Sequence, residues 1–117
     1  MRILIVDDDA AFRHSLKSDL TQMGHEVSAA GGLESALDAM LQTAFRAAIV
    51  DAHLSYGETR RLITALQSCG TSVLLLAEQD TTTGLARPTD CVHVFTLMKP
   101  VGVVELERSL YRLLDGC

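Results

Sequence analysis

Five residues stand where their types and spacing could do chemistry. Asp7, Asp8 and Asp9 follow the apolar run Ile3-Leu4-Ile5-Val6, Asp51 follows Ala47-Ala48-Ile49-Val50, and Lys99 follows the run that ends at Met98. Acids placed directly after apolar runs are not a solvated helix face and need another reason. Two adjacent carboxylates joined by a third make an oxygen-rich, negative hollow, the environment that hard divalent cations such as Mg²⁺ prefer. Carboxylates that close repel one another, which raises their pKa values unless a cation is supplied. Lys99 supplies one fixed charge. Pro100 biases it toward extended backbone and admits a cis bond that would aim the ammonium. A carboxylate held beside a metal ion and a lysine is a nucleophile suited to a phosphoryl group, and both cations would neutralise the resulting aspartyl phosphate. Asp9 has the simpler role of helix N-cap open to it.

The elements that must bring these residues together alternate along the chain. Ile3 to Val6 reads as a strand buried on both faces, and Phe12, Leu16, Leu20 and Met23 then recur at helical spacing up to the stop signal Gly24. His25 to Ala30, with Val27 as its one strong apolar residue, suits an edge strand. Leu33, Ala36, Leu37, Met40 and Leu41 fit the i, i+3, i+4, i+7, i+8 template of an amphipathic helix. A third strand over Ala47 to Val50 ends at Asp51, a third helix covers Thr59 to Ser68 and stops at Gly70, and Val73 to Ala77 forms the fourth strand. Val92 to Met98 is the fifth strand, and Val103, Leu106, Leu110, Leu113 and Leu114 mark a last helix. Between strands four and five, Thr81-Thr82-Thr83-Gly84 and Pro88 predict only a short or frayed helix. The pattern is α/β, a (βα)₅ parallel sheet with helices on both faces and right-handed crossovers. Ligands of such sheets sit beyond the carboxyl ends of the strands, where Asp7, Asp8, Asp51 and Lys99 all fall.

Composition narrows the function. The 117 residues make one domain over 1–117, and 48% hydrophobic with 21% charged residues excludes a disordered tail. The net charge of −5 argues against a nucleic-acid or membrane-binding surface. No apolar run approaches a membrane span, and the first strand begins too soon after Met1 for a signal peptide, so a cytoplasmic protein is expected. Cys69, Cys91 and Cys117 suggest neither a disulfide framework nor a zinc site. Met23, Met40 and Met98 read as core packing, His14, His25 and His93 as surface or strand-edge residues, and Arg60-Arg61 as a solvated helix face.

Taken in order, Ile3-Leu4-Ile5-Val6-Asp7-Asp8-Asp9 with Phe12-Arg13, Ile49-Val50-Asp51, and Met98-Lys99-Pro100 followed by Glu105-Leu106 resemble the receiver domains of two-component response regulators over the whole chain. The resemblance implies a doubly wound, flavodoxin-like sheet of order 2-1-3-4-5. It implies Asp51 as the phosphoacceptor, with Asp7, Asp8, Asp51 and the backbone carbonyl of His53 holding Mg²⁺ and Lys99 contacting the phosphoryl group. The partner would be a sensor histidine kinase or phosphotransfer protein. A homodimer could form through the fourth strand, fourth helix and fifth helix. Such a domain is a signalling module rather than an enzyme, catalysing at most its own phosphorylation and dephosphorylation.

The departures from the family pattern fall in the switching apparatus. Receivers place Thr or Ser at the end of strand four, where this chain has Ala77, and an aromatic residue three before the lysine, where it has Thr96. Strand alternation turns the neighbouring Phe95 to the opposite face. A missing hydrogen bond to a charged group is worth roughly 1.5–3 kcal/mol, comparable to typical allosteric coupling. The loop Leu54-Ser55-Tyr56-Gly57 is about two residues shorter than usual, and Tyr56 could lie over the phosphosite or simply occupy a turn. Two further readings stay open. One is a phosphorylation-independent interaction module, favoured by Ala77 and Thr96. The other is a haloacid-dehalogenase-like phosphatase with Asp7 as nucleophile and Asp9 as acid/base, against which stand Ala10-Ala11, the lack of a cap domain and the lack of an acidic pair after Lys99.

Overall fold

A computed structural model of the chain describes residues 1–54, 57–77, 94–99 and 102–115, the side chains of 94, 95 and 115 aside. The expectations for Tyr56, the helix between strands four and five, Cys91, His93, Pro100 and Cys117 lie outside these residues. The elements are β1 (Arg2–Val6), α1 (Ala10–Gln22), β2 (Glu26–Ala30), α2 (Leu33–Gln42), β3 (Ala47–Asp51), α3 (Glu58–Ser68), β4 (Ser72–Ala77), β5 (Val94–Met98) and α4 (Val103–Asp115). The five strands are parallel and ordered β2-β1-β3-β4-β5, the doubly wound topology expected.

Alternation along the central strands builds two cores. Leu4, Val6, Ala48, Val50, Val73 and Leu75 pack with Ala36 of α2 and Leu62 and Leu66 of α3. Their neighbours Ile3, Ile5, Ala47, Ile49, Leu74 and Leu76 face the other way, against Leu16 and Leu20 of α1 and Leu106, Leu110 and Leu113 of α4. Because both faces are covered, the strands read as unbroken apolar runs. Gly24 and Gly70 follow α1 and α3 with φ of 96° and 75°, a left-handed turn that a side chain disfavours.

The register is what delivers the acids. Val6 pairs with Val50 and Ala77 with Met98, so Asp7, Asp51 and Lys99 emerge together at one edge of the sheet.

Three expectations are corrected. On α2 only Ala36 is buried, and Leu37 and Leu41 are exposed, Leu41 at 86%. The helix packs over the edge strand β2 and against α3, so a contact line narrower than its apolar stripe is covered. Met98 ends the edge strand β5 and is half exposed rather than core. His25 lies at the edge strand, one of the two places expected for it, but is buried rather than on the surface: it precedes β2 beside the start of β1, where α4 crosses. Its Nε2 lies 2.6 Å from Glu107 Oε2, and its Nδ1 lies 3.1 Å from the Met1 amino nitrogen.

Burial therefore separates two leucines that the sequence places on apolar runs or stripes. Leu74→Ala should cost about 2–5 kcal/mol in chemical denaturation, whereas Leu41→Ala should stay within about 0.5 kcal/mol of the parent.

Candidate functional site

Asp7 and Asp51 lie at the carboxyl edge of adjacent strands, and both are buried, at 2% and 7% exposure, while Asp8 is exposed. One carboxylate oxygen from each of the three lies within 4.8 Å of the others. Lys99 Nζ is 3.1 Å from Asp7 Oδ2 and 4.0 Å from Asp51 Oδ1, so it sits nearer the first acid than the second. Its backbone N–H donates to the carbonyl of Ala77, which fixes the end of β5 against that of β4.

The surrounding backbone holds each acid in place. Asp9 caps α1 by accepting from Phe12 N–H at 3.2 Å, and its own N–H donates to Asp7 Oδ1 at 2.9 Å. His53 N–H donates to Asp51 Oδ1 at 3.0 Å, while the His53 side chain is exposed. Burial pushes the Asp51 carboxyl above its ordinary range, and the charges of Asp7 and Asp8 add to this; the His53 amide and Lys99 oppose it. Among the three carboxylates the one ammonium, that of Lys99, contacts Asp7 and Asp51.

The structure thus brings together Asp7, Asp8, Asp51 and Lys99, and places His53 at the rim through its backbone. The donor set is all carboxylate oxygen, partly buried and open on the Asp8 side. It fits a small hard cation with remaining positions for water or phosphate oxygens.

Sequence reasoning missed four supporting residues. Phe12, read as a core position, lies beneath Lys99 with the ammonium 4.5 Å from the ring centroid. Arg13 Nη1 donates to the Asp7 carbonyl at 2.7 Å. Buried Thr59 donates from Oγ1 to the Asp51 carbonyl and accepts from Leu54 N–H, stitching the loop after β3. Glu58 Oε1 accepts from Leu33 N–H at 3.0 Å, so α3 caps α2 across the loop. The helical phase of Phe12 and Arg13 relative to Asp9 was a usable signal. Thr59 and Glu58 act on partners that only the tertiary fold supplies.

An acidic cluster at the carboxyl edge of a 2-1-3-4-5 parallel sheet places the chain among doubly wound α/β proteins, whose ligands sit at that edge. Comparisons with known proteins narrow the class. No family model matches the chain. It is 35% identical over 120 residues to the two-component response regulator PhoP of Pseudomonas aeruginosa, covering 97% of this chain and 52% of that protein. Over 54 residues it is 43% identical to the sensory/regulatory protein RpfC of Xanthomonas campestris pv. campestris, 46% of this chain and 7% of that one. The chain thus spans about half the length of the first relative and a small part of the second. A solved receiver domain from Methanospirillum hungatei superposes with a TM-score of 0.82 at 25% identity, over 98% of this chain and 94% of the other. The response regulator TrrA of Thermotoga maritima, solved in complex with Mg²⁺-BeF, shares the fold with a TM-score of 0.79 at 21% identity, over 96% and 97% of the two chains. The chain belongs to the receiver domains of response regulators.

The raised Asp51 carboxyl sets a pH dependence. The folded state holds this proton more tightly than the unfolded state, so in metal-free protein the penalty grows as pH rises through that window and is complete above it. Asp51→Asn should therefore raise the urea midpoint of metal-free protein at pH 7. The gain should vanish at a pH below the ordinary Asp value of 3.8, where both states are protonated.

Proposed function

We propose that the chain is a phosphoacceptor module in which Asp51 receives a phosphoryl group from a histidine kinase or phosphotransfer protein. The observation that carries this reading is the convergence of Asp7, Asp8 and Asp51 within one carboxylate cluster with Lys99 on its flank. An Asp51 carboxylate oxygen attacks phosphorus, the bond from phosphorus to the donor breaks, and its electron pair leaves with the donor imidazole. The product is an acyl phosphate. Asp7, Asp8, Asp51 and the His53 carbonyl would hold Mg²⁺, which supplies charge neutralisation to the transferring group and aligns it with the nucleophile. Lys99, 4.0 Å from Asp51 Oδ1, lies within a short shift of the phosphoryl oxygens it would contact.

Other features support the finer points. Asp9 spends its carboxylate on the first turn of α1, which speaks against an acid/base role and against the phosphatase reading. The organised carboxylate cluster speaks against a purely phosphorylation-independent interaction module. Ala77 is 1% exposed and puts a methyl at the end of β4, and Thr96 occupies the aromatic position on β5. The switch is therefore atypical, and the response to phosphorylation runs through groups other than a strand-four hydroxyl. Met98, Val104 and Tyr111 are about half exposed along β5 and α4, so a homodimer or partner face would use these elements rather than the fourth strand, which is buried. No helix among the described residues is long and apolar enough to cross a membrane.

Incubation with a small acyl-phosphate donor, followed by intact-mass spectrometry, tests the assignment. The wild type should gain one phosphoryl group only when Mg²⁺ is present, and Asp51→Asn should gain none. An adduct that persists in Asp51→Asn and is lost in Asp7→Asn would point instead to Asp7 as nucleophile.

A further inference from the structure

The acid pair is held from behind by a residue with no part in the phosphoryl chemistry. All four polar atoms of Asp7 are engaged: its N–H donates to Ala30 carbonyl oxygen at 3.2 Å, Oδ1 accepts from Asp9 N–H, and Oδ2 from Lys99. The fourth, the carbonyl oxygen, accepts from the Arg13 guanidinium at 2.7 Å, the shortest of these contacts. The paired stretch of β1 ends at Val6. The peptide between Asp7 and Asp8 is therefore oriented by this guanidinium rather than by the sheet. That peptide joins the two acids, while the Asp7 N–H on the other side of the residue is held by the sheet through Ala30.

The β2–α2 loop makes room for the same group. A Cβ on Gly31 would lie 3.3 Å from Arg13 Nη1 and 3.8 Å from its Cζ, and would approach nothing else outside its chain neighbours. Gly31 is not among the glycines with left-handed backbone, so its conformation does not require glycine. A side chain there would press on the guanidinium, which would have to shift by a few tenths of an ångström.

We infer that Arg13 is a positioning residue for the divalent-cation site, gripping the Asp7 carbonyl so that Asp7 and Asp8 present their oxygens together, with Gly31 leaving the space it needs. The inference rests on the proposed Mg²⁺ site. Simple electrostatics predicts the opposite of positioning. Removing a cation from beside the acids would by itself tighten binding of a second cation, whereas releasing the peptide loosens it. The sign of the effect separates the two.

Isothermal titration of the intact protein with MgCl₂ is the test, with metal-free melting temperatures recorded alongside. Arg13→Ala should weaken Mg²⁺ binding by about tenfold, the low end of what loss of an outer-shell partner costs. Arg13→Lys keeps the charge but not the planar fork and should fall between Arg13→Ala and wild type. Gly31→Ala should weaken binding by a smaller factor, and should add nothing to Arg13→Ala in the double variant. Unchanged or tighter binding by Arg13→Ala overturns the inference. If that variant does not fold, Gly31→Ala decides, and wild-type affinity there overturns it. A wild type that binds no Mg²⁺ overturns the underlying metal assignment, whatever the variants do.

Discussion

Crowding of like charge at the end of the sheet is the constraint on which the rest of this molecule depends. Asp7 and Asp51 come from adjacent strands, both nearly excluded from solvent, with carboxylate oxygens within 4.8 Å. At that separation two full charges repel by about 3 kcal/mol for an effective dielectric near ~20. Lys99 offsets part of this and spends its ammonium mainly on Asp7. Burial lifts the Asp51 carboxyl above its ordinary range, and the neighbouring charges of Asp7 and Asp8 add to the shift.

Holding such a cluster requires a frame that does not yield. Two apolar cores clamp the central strands, and their register leaves β1 and β3 in step at the point where the acids emerge. Around that point side chains tie down backbone: Arg13 on the Asp7 carbonyl, Thr59 on the Asp51 carbonyl, Glu58 on the first turn of α2. These ties lie on the α1 and α3 side of the site. Ala77 and Thr96 lie on the β4 and β5 side. Thr59 and Glu58, neighbours at the start of α3, thus link the Asp51 carbonyl to the first turn of α2.

Much of this was legible in the sequence, because the signals were local. Unbroken apolar runs identified strands buried on both faces, and their polar ends marked the edge where Asp7, Asp8, Asp51 and Lys99 meet. What escaped depended on position in the fold. Leu41 has the right helical phase but sits on a helix at the sheet's edge, where half its stripe has no partner. His25 carries no spacing signal, since its partner Glu107 lies 82 residues away on α4. Phe12 looks like any core residue until Lys99 is found above its ring.

The direct test of charge crowding is the melting temperature of metal-free protein as MgCl₂ is added at neutral pH, for wild type and Asp7→Asn. A ligand that binds only the folded state stabilises it in a saturating, affinity-dependent way. The carboxylate cluster predicts a saturable rise for wild type that is lost in Asp7→Asn. A wild type indifferent to Mg²⁺, or a rise of equal size in both proteins, would contradict it.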